Sequence, residues 1–336
     1  MKKLFFCALC VLLTALCLTS CASESSPSSA SFQAMDTLMS LKVYGSADTC
    51  EQLQNKITEL DSSLDATDEK SEIFRLNTEK SAVVSKDTAA LLSDSLALCD
   101  RLDGCFDLTV YPAVQAWGFT TGDYRVPTDS ELKTLSDKID YTAVTLSDDG
   151  RVSLPENVML DLGAVAKGYA ADVSRTILAA NKAQAAVLNL GGTICLYGKK
   201  PDGSRFTVGI ADPENPAGYF GYLSCDDTTV ATSGGYERYF EHGGKRYIHI
   251  LDPATAAPVD NGILSVTIVS NSGAFADAAS TALFVMGLDK ATQYCRSHPG
   301  FDCIILTDDK NLYLTEGVYD DFTLSDGYDF TLHKIS

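Results

Sequence analysis

Helical and strand-like patterns follow one another irregularly along this chain, and this irregularity restricts its fold more than any other feature. Apolar residues recur at helical spacing over 47–64 and 85–102, and Thr128-x-x-Glu131 is a capping-box pattern that opens a third helix. A doubly wound parallel sheet would instead require regular alternation of strands and helices. We therefore predict an α+β fold in which helices pack on mixed sheets, with strands over 38–44, 187–190, 206–210, 246–250, 264–269 and 303–306.

The first 20 residues are typical of an export signal and not of a folded element. Lys2 and Lys3 precede an apolar run of 15 residues, 4–18, which is shorter than the roughly 20 residues of a membrane-spanning helix. A plain signal peptide with an incidental cysteine is one interpretation. However, Leu18-Thr19-Ser20-Cys21 resembles the lipobox of bacterial lipoproteins, which favours lipidation of Cys21.

The polar tract 22–31 contains no apolar residue larger than Ala, so we predict a flexible tether there. The expected organisation is a lipoprotein signal peptide at 1–20, a lipidated Cys21 with its tether at 21–31, and one folded domain at 32–336. A protein built in this way is anchored to the cell membrane by its lipid and faces outside the cytoplasm.

The charge of the chain is strongly negative, and this excludes some partners. Lys and Arg number 26 against 45 Asp and Glu, which gives a net charge of −19. Such a surface repels polyphosphates, so we expect no nucleic-acid partner. An anionic dinucleotide would be repelled as well, unless a metal ion or helix termini offset the negative charge locally.

The cysteines beyond Cys21 do not suggest a metal site. Their number is odd, no two of them have the spacing of zinc ligands, and a domain of this size folds without cross-links. We interpret them as buried thiols in preference to a disulfide framework: Cys50, Cys99, Cys105, Cys195, Cys225, Cys295 and Cys303.

Common nucleotide-binding signatures are missing from the sequence: it has neither a Walker-type loop nor a G-x-G-x-x-G motif after a strand. Five segments instead combine glycines with polar or aromatic residues. These segments are 104–119, 161–172, 187–192, 231–238, and 249–253 taken together with 275–287. The Gly-rich segments 187–192 and 231–238 could each be an ordinary turn.

Individual residues in these segments have two interpretations each. Trp117, the single tryptophan, is either a core residue or an aromatic wall for a planar ring. Lys167, at a helix start, either lies exposed beside a carboxylate or faces an anion. Asp277 and Thr281 share one face of an apolar helix, where the carboxylate either meets a hard cation or only complements the helix N-terminus.

Six segments, in this order, resemble motifs of the ApbE family of FAD:protein FMN transferases. They are GCFDLTVYPAVQAWGF, DLGAVAKGYAAD, LNLGG, ATSGGYER, HILDPATAAPV and FADAASTALFVMG, and the resemblance runs from Met35 to Gly287. It implies an ApbE-like mixed α/β fold, FAD as the substrate and Mg²⁺ at its pyrophosphate. The implied reaction splits FAD, attaches FMN through a phosphoester bond to a Thr of an exported electron-transfer flavoprotein, and releases AMP.

The resemblance also implies roles for residues of this sequence. The metal ligands would be the Ala164 carbonyl oxygen, the Asp277 carboxylate and the Thr281 hydroxyl. His249 is the residue near the phosphates best suited to accept the proton of the acceptor Thr, because an imidazole has an ordinary pKa of about 6.5. Contacts to FAD would come from Met35, Trp117, Gly118, Phe119, Asp161, Lys167 and Leu251.

Three positions depart from the family pattern. Met35-Asp36-Thr37 stands where Met-Gly-Thr is usual, so Asp36 replaces the Gly. Ala256 replaces the usual Gly after Asp252-Pro-x-Thr255. Thr67 falls where many members have an aromatic residue, which puts one ring contact in doubt. None of the three removes a proposed metal ligand.

Two other functions compete with transfer. A Mg²⁺-dependent FAD pyrophosphatase would use the same metal and dinucleotide, with water in place of the acceptor Thr, so the motifs do not separate the two reactions. A non-catalytic flavin-binding lipoprotein would bind its ligand without releasing AMP, and the presence of Asp277 and Thr281 argues against it. The identity of the acceptor and the oligomeric state are not predicted.

Overall fold

The computed structural model describes residues 27–215 and 217–336, and a nine-stranded sheet runs through the middle of this part of the chain. Helices and strands alternate irregularly, as the sequence predicts. In chain order the elements are β1 Ser28–Ala34, β2 Thr37–Tyr44, α1 Ala47–Leu64, α2 Glu72–Glu79, β3 Ser81–Val83, α3 Lys86–Arg101, α4 Tyr111–Trp117, α5 Asp129–Ser136, β4 Thr145–Leu146, β5 Arg151–Ser153, α6 Ala166–Ala180, β6 Ala185–Asn189, β7 Thr193–Gly198, β8 Phe206–Ala211, β9 Tyr219–Cys225, β10 Thr229–Gly234, β11 Tyr239–His242, β12 Lys245–Ile248, β13 Leu251–Asp252, β14 Ala257–Pro258, β15 Ile263–Ser270, α7 Gly273–Ser297, β16 Asp302–Thr307, β17 Asn311–Thr315, α8 Glu316–Tyr319, β18 Phe322–Leu324 and β19 Thr331–Ile335.

The large sheet has the strand order β1-β2-β6-β7-β10-β15-β16-β17-β19. Its neighbouring strands are antiparallel, except that β17 and β19 pair in parallel. Two three-stranded sheets, β18-β9-β8 and β3-β5-β4, and two short strand pairs, β11–β12 and β13–β14, complete the described part. The predicted α+β class with mixed sheets is confirmed.

Both faces of the large sheet are buried in its central strands. In β16, Cys303 and Ile305 pack into the core on the helical side, whereas Ile304 and Leu306 pack into a second core beneath the β18-β9-β8 sheet. Because successive strand residues point to opposite faces, a strand covered on both sides has a continuous apolar run. This is why the strand at 303–306 was recognisable without alternation.

The helices meet the sheet through regularly spaced apolar residues. The buried side chains of α1 include Leu53, Ile57, Leu60 and Leu64, at the spacing of one helical face. The cap of α5 is the predicted capping box, with the Thr128 and Glu131 side chains each accepting the backbone N–H of the other. Helix α7 is interrupted at Gly287, whose φ of 74° and ψ of 164° are not helical.

The structure corrects the predicted start of the folded domain. Residues Ser28 to Ser31, assigned to the tether, pair with residues 40–43 of β2 as part of β1. Small polar residues suit this position because β1 is the edge strand of the sheet, where the ladder needs only backbone groups. Residues 1–26, including the predicted signal and Cys21, lie outside the described residues.

Within the described residues, helices that are both long and apolar enough to cross a membrane are not found. Six of the seven cysteines of the described residues are buried, as the interpretation as buried thiols predicts, and Cys105 is half-buried.

Candidate active site

A cavity of about 330 Å³ lies between the start of α6, the first half of α7 and the β12–β13 connection. Four of the five segments singled out in the sequence contribute residues to its lining, whereas segment 187–192 contributes none. Nine of the predicted site residues line it: Met35, Phe119, Asp161, Ala164, Lys167, His249, Leu251, Asp277 and Thr281.

The start of α6 is tied to α7 by one backbone hydrogen bond. The Gly168 N–H donates to Oδ2 of Asp277 at 2.9 Å, and Asp277 is 6% exposed. Gly168 is the third residue of α6, so its N–H is one of the donors that a helix leaves without an internal partner at its start. The Ala164 carbonyl oxygen precedes the helix at the wall of the cavity, and within the described residues it accepts no backbone N–H.

Two further contacts hold α7 in this position. The carboxylate of Asp172 accepts the N–H groups of Gly273 and Ala274 at 2.6 and 2.9 Å, which satisfies two of the unpaired donors at the start of α7. Gly168 and Gly273 bring the two helices together, because a Cβ on Gly168 would lie 2.1 Å from the Gly273 carbonyl oxygen. The placement of Asp277 therefore depends on a glycine contact between helices that are distant in sequence.

A chain of hydroxyl groups extends from Asp277 to β10. The Ser280 hydroxyl donates to the backbone carbonyl of Asp277 at 2.8 Å. Ser233, at the end of β10, lies 2.7 Å from the Ser280 oxygen and 3.1 Å from the Thr281 oxygen. Thr281 is thus oriented by Ser233, a residue of the Gly-rich segment 231–238. The first part of this segment is the end of strand β10 and not only a turn.

The groups at this point fit a hard divalent cation. They are a backbone carbonyl, a carboxylate and a hydroxyl, from Ala164, Asp277 and Thr281, and Mg²⁺ and Ca²⁺ prefer such oxygen ligands. The described part of the chain contains no cluster of three or more His, Cys, Asp or Glu side chains that could hold a metal. A metal here would therefore take the rest of its shell from water and substrate phosphates, and its assignment stays a prediction.

His249 lies in the connection between β12 and β13, where it lines the cavity. Its Nδ1 is 3.1 Å from the carbonyl oxygen of Arg238. Because a carbonyl can only accept, the neutral ring carries its proton on Nδ1 and keeps a free lone pair on Nε2. Burial and the positive charges of Arg238 and Lys167 lower the pKa of His249 to about 4, so the ring is neutral at physiological pH.

Asp161 and Lys167 bracket the turn that leads into α6. Oδ1 of Asp161 accepts the N–H of Gly163 at 2.7 Å, and the ammonium of Lys167 donates to the Gly163 carbonyl at 3.3 Å. Burial raises the pKa of Asp161, while the charges of Arg238 and Lys167 oppose that rise. Two cations therefore face the cavity of a protein whose net charge is strongly negative.

Glu237 and Arg238 also line the cavity, although the sequence did not single them out as site residues. Burial by the surrounding protein raises the pKa of Glu237; the charge of Lys167 lowers it and that of Asp277 raises it. The signal that could have found them is the mixed run Tyr236-Glu-Arg238 directly after two glycines, a polar sequence at the end of a buried strand.

The segment after α3 supplies a wall that was also missed. Cys105, Phe106 and Asp107 line the cavity from within the first quoted motif. Asp107 is buried, and its Oδ1 accepts both the N–H and the hydroxyl of Thr109 at 2.7 Å. These bonds shape the turn that presents Phe106, and a pattern of spacing alone does not reveal them.

The structure places Trp117 and Gly118 outside the lining of the cavity. Trp117 is 2% exposed and does not line the cavity; its indole N–H donates to the Ala256 carbonyl at 2.8 Å. Its ring packs on Phe240 and Tyr247, at centroid distances of 6.2 and 5.3 Å. Gly118 ends α4 with a φ of 84° and does not line the cavity either. The core interpretation of the tryptophan is the correct one, because its polar atom is satisfied inside the protein.

Phe119 is the member of this trio that faces the cavity. It is 7% exposed, and its ring lies edge-on to His249 with centroids 6.5 Å apart. Trp117 and Phe119 pack on the same ring, Phe240, at centroid distances of 6.2 and 5.8 Å, and of the two only Phe119 reaches the cavity.

Comparison with known proteins places this arrangement in a family. A family model described as "ApbE family" matches residues 35–305, which is most of the chain. The chain belongs to the ApbE family. FAD:protein FMN transferase of Treponema pallidum is 34% identical over 257 residues, 71% of this chain and 70% of the relative. FAD:protein FMN transferase of Rhodobacter capsulatus is 38% identical over 232 residues, 68% of this chain and 44% of that longer protein.

Solved structures agree with the sequence matches. An ApbE protein of Thermotoga maritima has a TM-score of 0.78 at 31% identity, covering 89% of this chain and 97% of its own. The flavinyl transferase ApbE of Pseudomonas stutzeri has a TM-score of 0.74 at 26% identity, covering 84% and 91%. The predicted family, fold class and enzyme type are confirmed by these similarities.

The departures from the ApbE pattern coincide with special backbone positions. Met35 and Asp36 have φ angles of 50° and 59° in the β1–β2 turn, and Ala256 has a φ of 56°. Glycine adopts such angles without strain, which explains why the family usually has Gly at the positions of Asp36 and Ala256. The Met35 N–H donates to Oδ1 of Asp61 at 2.8 Å, which stabilises the turn at the cavity. Thr67 lines the cavity, so its hydroxyl occupies a place at the ligand wall.

Proposed function

We propose that this protein is a Mg²⁺-dependent, exported and lipid-anchored flavinyltransferase. It splits FAD, attaches FMN through a phosphoester bond to a Thr of an exported electron-transfer flavoprotein, and releases AMP. The observation that carries the proposal is the Asp277–Gly168 hydrogen bond at the wall of the cavity, with the free Ala164 carbonyl and Thr281 beside it. The names of the relatives, FAD:protein FMN transferase, support the same reaction.

Phosphoryl transfer of this kind demands positioning and charge neutralisation more than covalent chemistry. Ala164, Asp277 and Thr281 would hold the Mg²⁺, which when bound neutralises charge on the pyrophosphate and orients it. Lys167 and Arg238 would add positive charge on the same side of the cavity and attract the anionic substrate against the net charge of the protein.

The proton balance of the reaction assigns a role to His249. The oxygen of the acceptor hydroxyl forms a bond to the phosphorus on the FMN side, and the bond from that phosphorus to the oxygen retained by AMP breaks. The hydroxyl proton passes to Nε2 of His249, which is unprotonated because Nδ1 carries the hydrogen that is shared with Arg238. Phe119 beside the imidazole shields this transfer from bulk water.

Incubation of the purified protein with FAD, MgCl₂ and a flavin-accepting domain of an exported electron-transfer protein tests the proposal. We expect one AMP for each FMN that becomes covalently bound, measured by chromatography and by the mass of the acceptor. Release of AMP at the same rate without an acceptor, with free FMN as the product, would establish the pyrophosphatase instead. FAD binding without AMP release would establish a flavin carrier.

A further inference from the structure

Two cysteine side chains approach each other far from the residues used above. Sγ of Cys295, in the last part of α7, is 3.2 Å from Sγ of Cys303 in β16. Both residues are buried: Cys303 is 0% exposed and Cys295 is 9% exposed. The other five cysteines of the described residues have no second thiol among their hydrogen-bonding partners.

We propose that Cys295 and Cys303 are the site of an intramolecular disulfide that forms when the protein meets a disulfide oxidant. Disulfides persist outside the cytoplasm, so its occurrence in the cell rests on the proposed export, although not on the transfer reaction. The proximity of the two sulfurs means that little movement of α7 or β16 is needed for the bond to form.

The order of events follows from exposure. The thiolate of Cys295, the more accessible of the two, attacks one sulfur of the oxidant, forms a mixed disulfide and releases one thiolate. Cys303 then loses its proton and attacks Sγ of Cys295, which forms the internal bond and releases the second thiolate. Two protons leave the protein, and two electrons pass to the oxidant, a small disulfide such as oxidised glutathione.

Several contacts hold Cys303 in place for this step. Its N–H donates to the Thr315 hydroxyl at 3.0 Å, and it lies between β15 and β17 in the large sheet. The hydrogen bond with the Cys295 thiol, together with burial, raises the pKa of Cys303. Its fixed position beside Cys295 suits Cys303 to the second, resolving step.

The bond would fasten the second half of α7 to the sheet. Asp277 and Thr281 lie before the interruption at Gly287, and Cys295 lies after it. We therefore expect the disulfide to change stability and not the chemistry of the cavity. For a closed loop as short as 295–303, the expected rise in the midpoint of thermal unfolding is roughly 5 °C.

Peptide mapping tests the proposal directly, because trypsin separates the two cysteines. Cleavage after Lys290, Arg296 and Lys310 puts Cys295 in peptide 291–296 and Cys303 in peptide 297–310. The full-length protein is treated with oxidised glutathione, alkylated without reduction and digested. We expect the two peptides as one cross-linked species that separates on reduction.

Two separate alkylated peptides after this treatment, or glutathione retained on Cys295 alone, would overturn the proposal. Thermal unfolding of the oxidised and reduced wild type provides a second measurement that needs no substitution. Cys303→Ala should abolish the difference in melting temperature, whereas Cys225→Ala, at a buried cysteine in the other core, should keep it. An equal difference in both variants would also contradict the proposal.

Discussion

Asp277 and Gly168 are 109 positions apart in sequence, yet the Asp277 carboxylate accepts the Gly168 N–H at 2.9 Å and so joins the starts of two helices. This bond satisfies a donor that the start of α6 leaves unpaired. It also fixes a buried carboxylate at the cavity that Ala164, just before α6, lines as well. The ligand set proposed for Mg²⁺ is therefore a property of the helix contact as much as of the residues themselves.

Replacement of Gly168 by Ala should disrupt this contact. Helix propensity alone would favour Ala by about 1 kcal/mol. The new Cβ would nevertheless lie 2.1 Å from the Gly273 carbonyl oxygen and 2.7 Å from Cβ of Asp277, which forces α6 and α7 apart. We expect the free energy of unfolding to fall by at least about 2 kcal/mol in urea denaturation, together with weaker activation by Mg²⁺. Gly203→Ala, at an exposed turn with no atom within 4 Å of the new Cβ, should cost only about 1 kcal/mol. Equal losses in the two variants would refute the importance of the contact.

Removal of the charge of Asp277 should abolish most activity without unfolding the protein. Asp277→Asn keeps an oxygen that can accept the Gly168 N–H, but it lacks the negative charge that a divalent cation requires. We expect transfer to slow by roughly 10²-fold or more, and EDTA to have a similar effect on the wild type. Asp212→Asn serves as the control, because Asp212 is also buried but bonds to Tyr328 away from the cavity. Full turnover of Asp277→Asn, or of the wild type in EDTA, would contradict the metal assignment.

Replacement of His249 by Ala should slow transfer by roughly 10²–10⁴-fold, the usual contribution of a general base. The Arg238 carbonyl remains satisfied because the backbone N–H of residue 249 also donates to it, at 3.0 Å. FAD affinity and melting temperature should therefore change little. A wild-type transfer rate in a folded His249→Ala protein would exclude His249 from the mechanism.

The same residue should set the acidic side of the pH profile. Because its pKa is lowered from 6.5 to about 4, kcat/KM should stay high well below pH 6.5 and fall only as the ring becomes protonated. The unfolded chain binds the proton more readily in this range, so the stability present above pH 6.5 is lost as the pH falls toward 4. His249→Gln should flatten this part of the stability curve, which thermal unfolding at a series of pH values can measure.

Substitutions of Trp117 and Phe119, two aromatic residues of the first motif, should affect stability and FAD binding differently. Trp117→Phe leaves the buried Ala256 carbonyl without its donor and should lower the free energy of unfolding by about 1–3 kcal/mol, with little change in the Kd for FAD. Phe119→Leu should weaken FAD binding with a smaller loss of stability, because Phe119 lines the cavity. Fluorescence titration of FAD with both variants tests this assignment, and the reverse pattern would return Trp117 to the flavin site.

Lipidation should determine where the protein is found in the cell. If Cys21 is acylated, the wild type fractionates with membranes, and Cys21→Ser is released or left unprocessed. Cys17→Ser, four residues earlier and inside the apolar run 4–18, should behave like the wild type. A wild-type protein found entirely in the cytosolic fraction would refute both the anchor and the export.

The sequence by itself determined the helices at 47–64, 85–102 and after Thr128, because they depend on local periodicity and capping. It also determined the fold class and the family, because the family motifs occur in their usual order. The face of α1 that carries Leu53 and Ile57 could be predicted from their spacing. One turn of a helix takes 3.6 residues, so residues that are three or four positions apart lie on the same face. The run at 303–306 likewise indicated a strand, and the structure shows that this strand is buried on both faces.

Tertiary structure decided which residues of each motif meet the cavity. Trp117 and Phe119 are two positions apart and pack in the same aromatic cluster, yet of the two only Phe119 lines the cavity. Glu237 and Arg238 joined the site because β10 ends opposite α7, a juxtaposition set by pairing between distant strands. The pKa of His249 changed for the same reason: the cations Arg238 and Lys167 reach it only after folding. Local patterns carry no record of such contacts, because they depend on how elements far apart in the chain pack together.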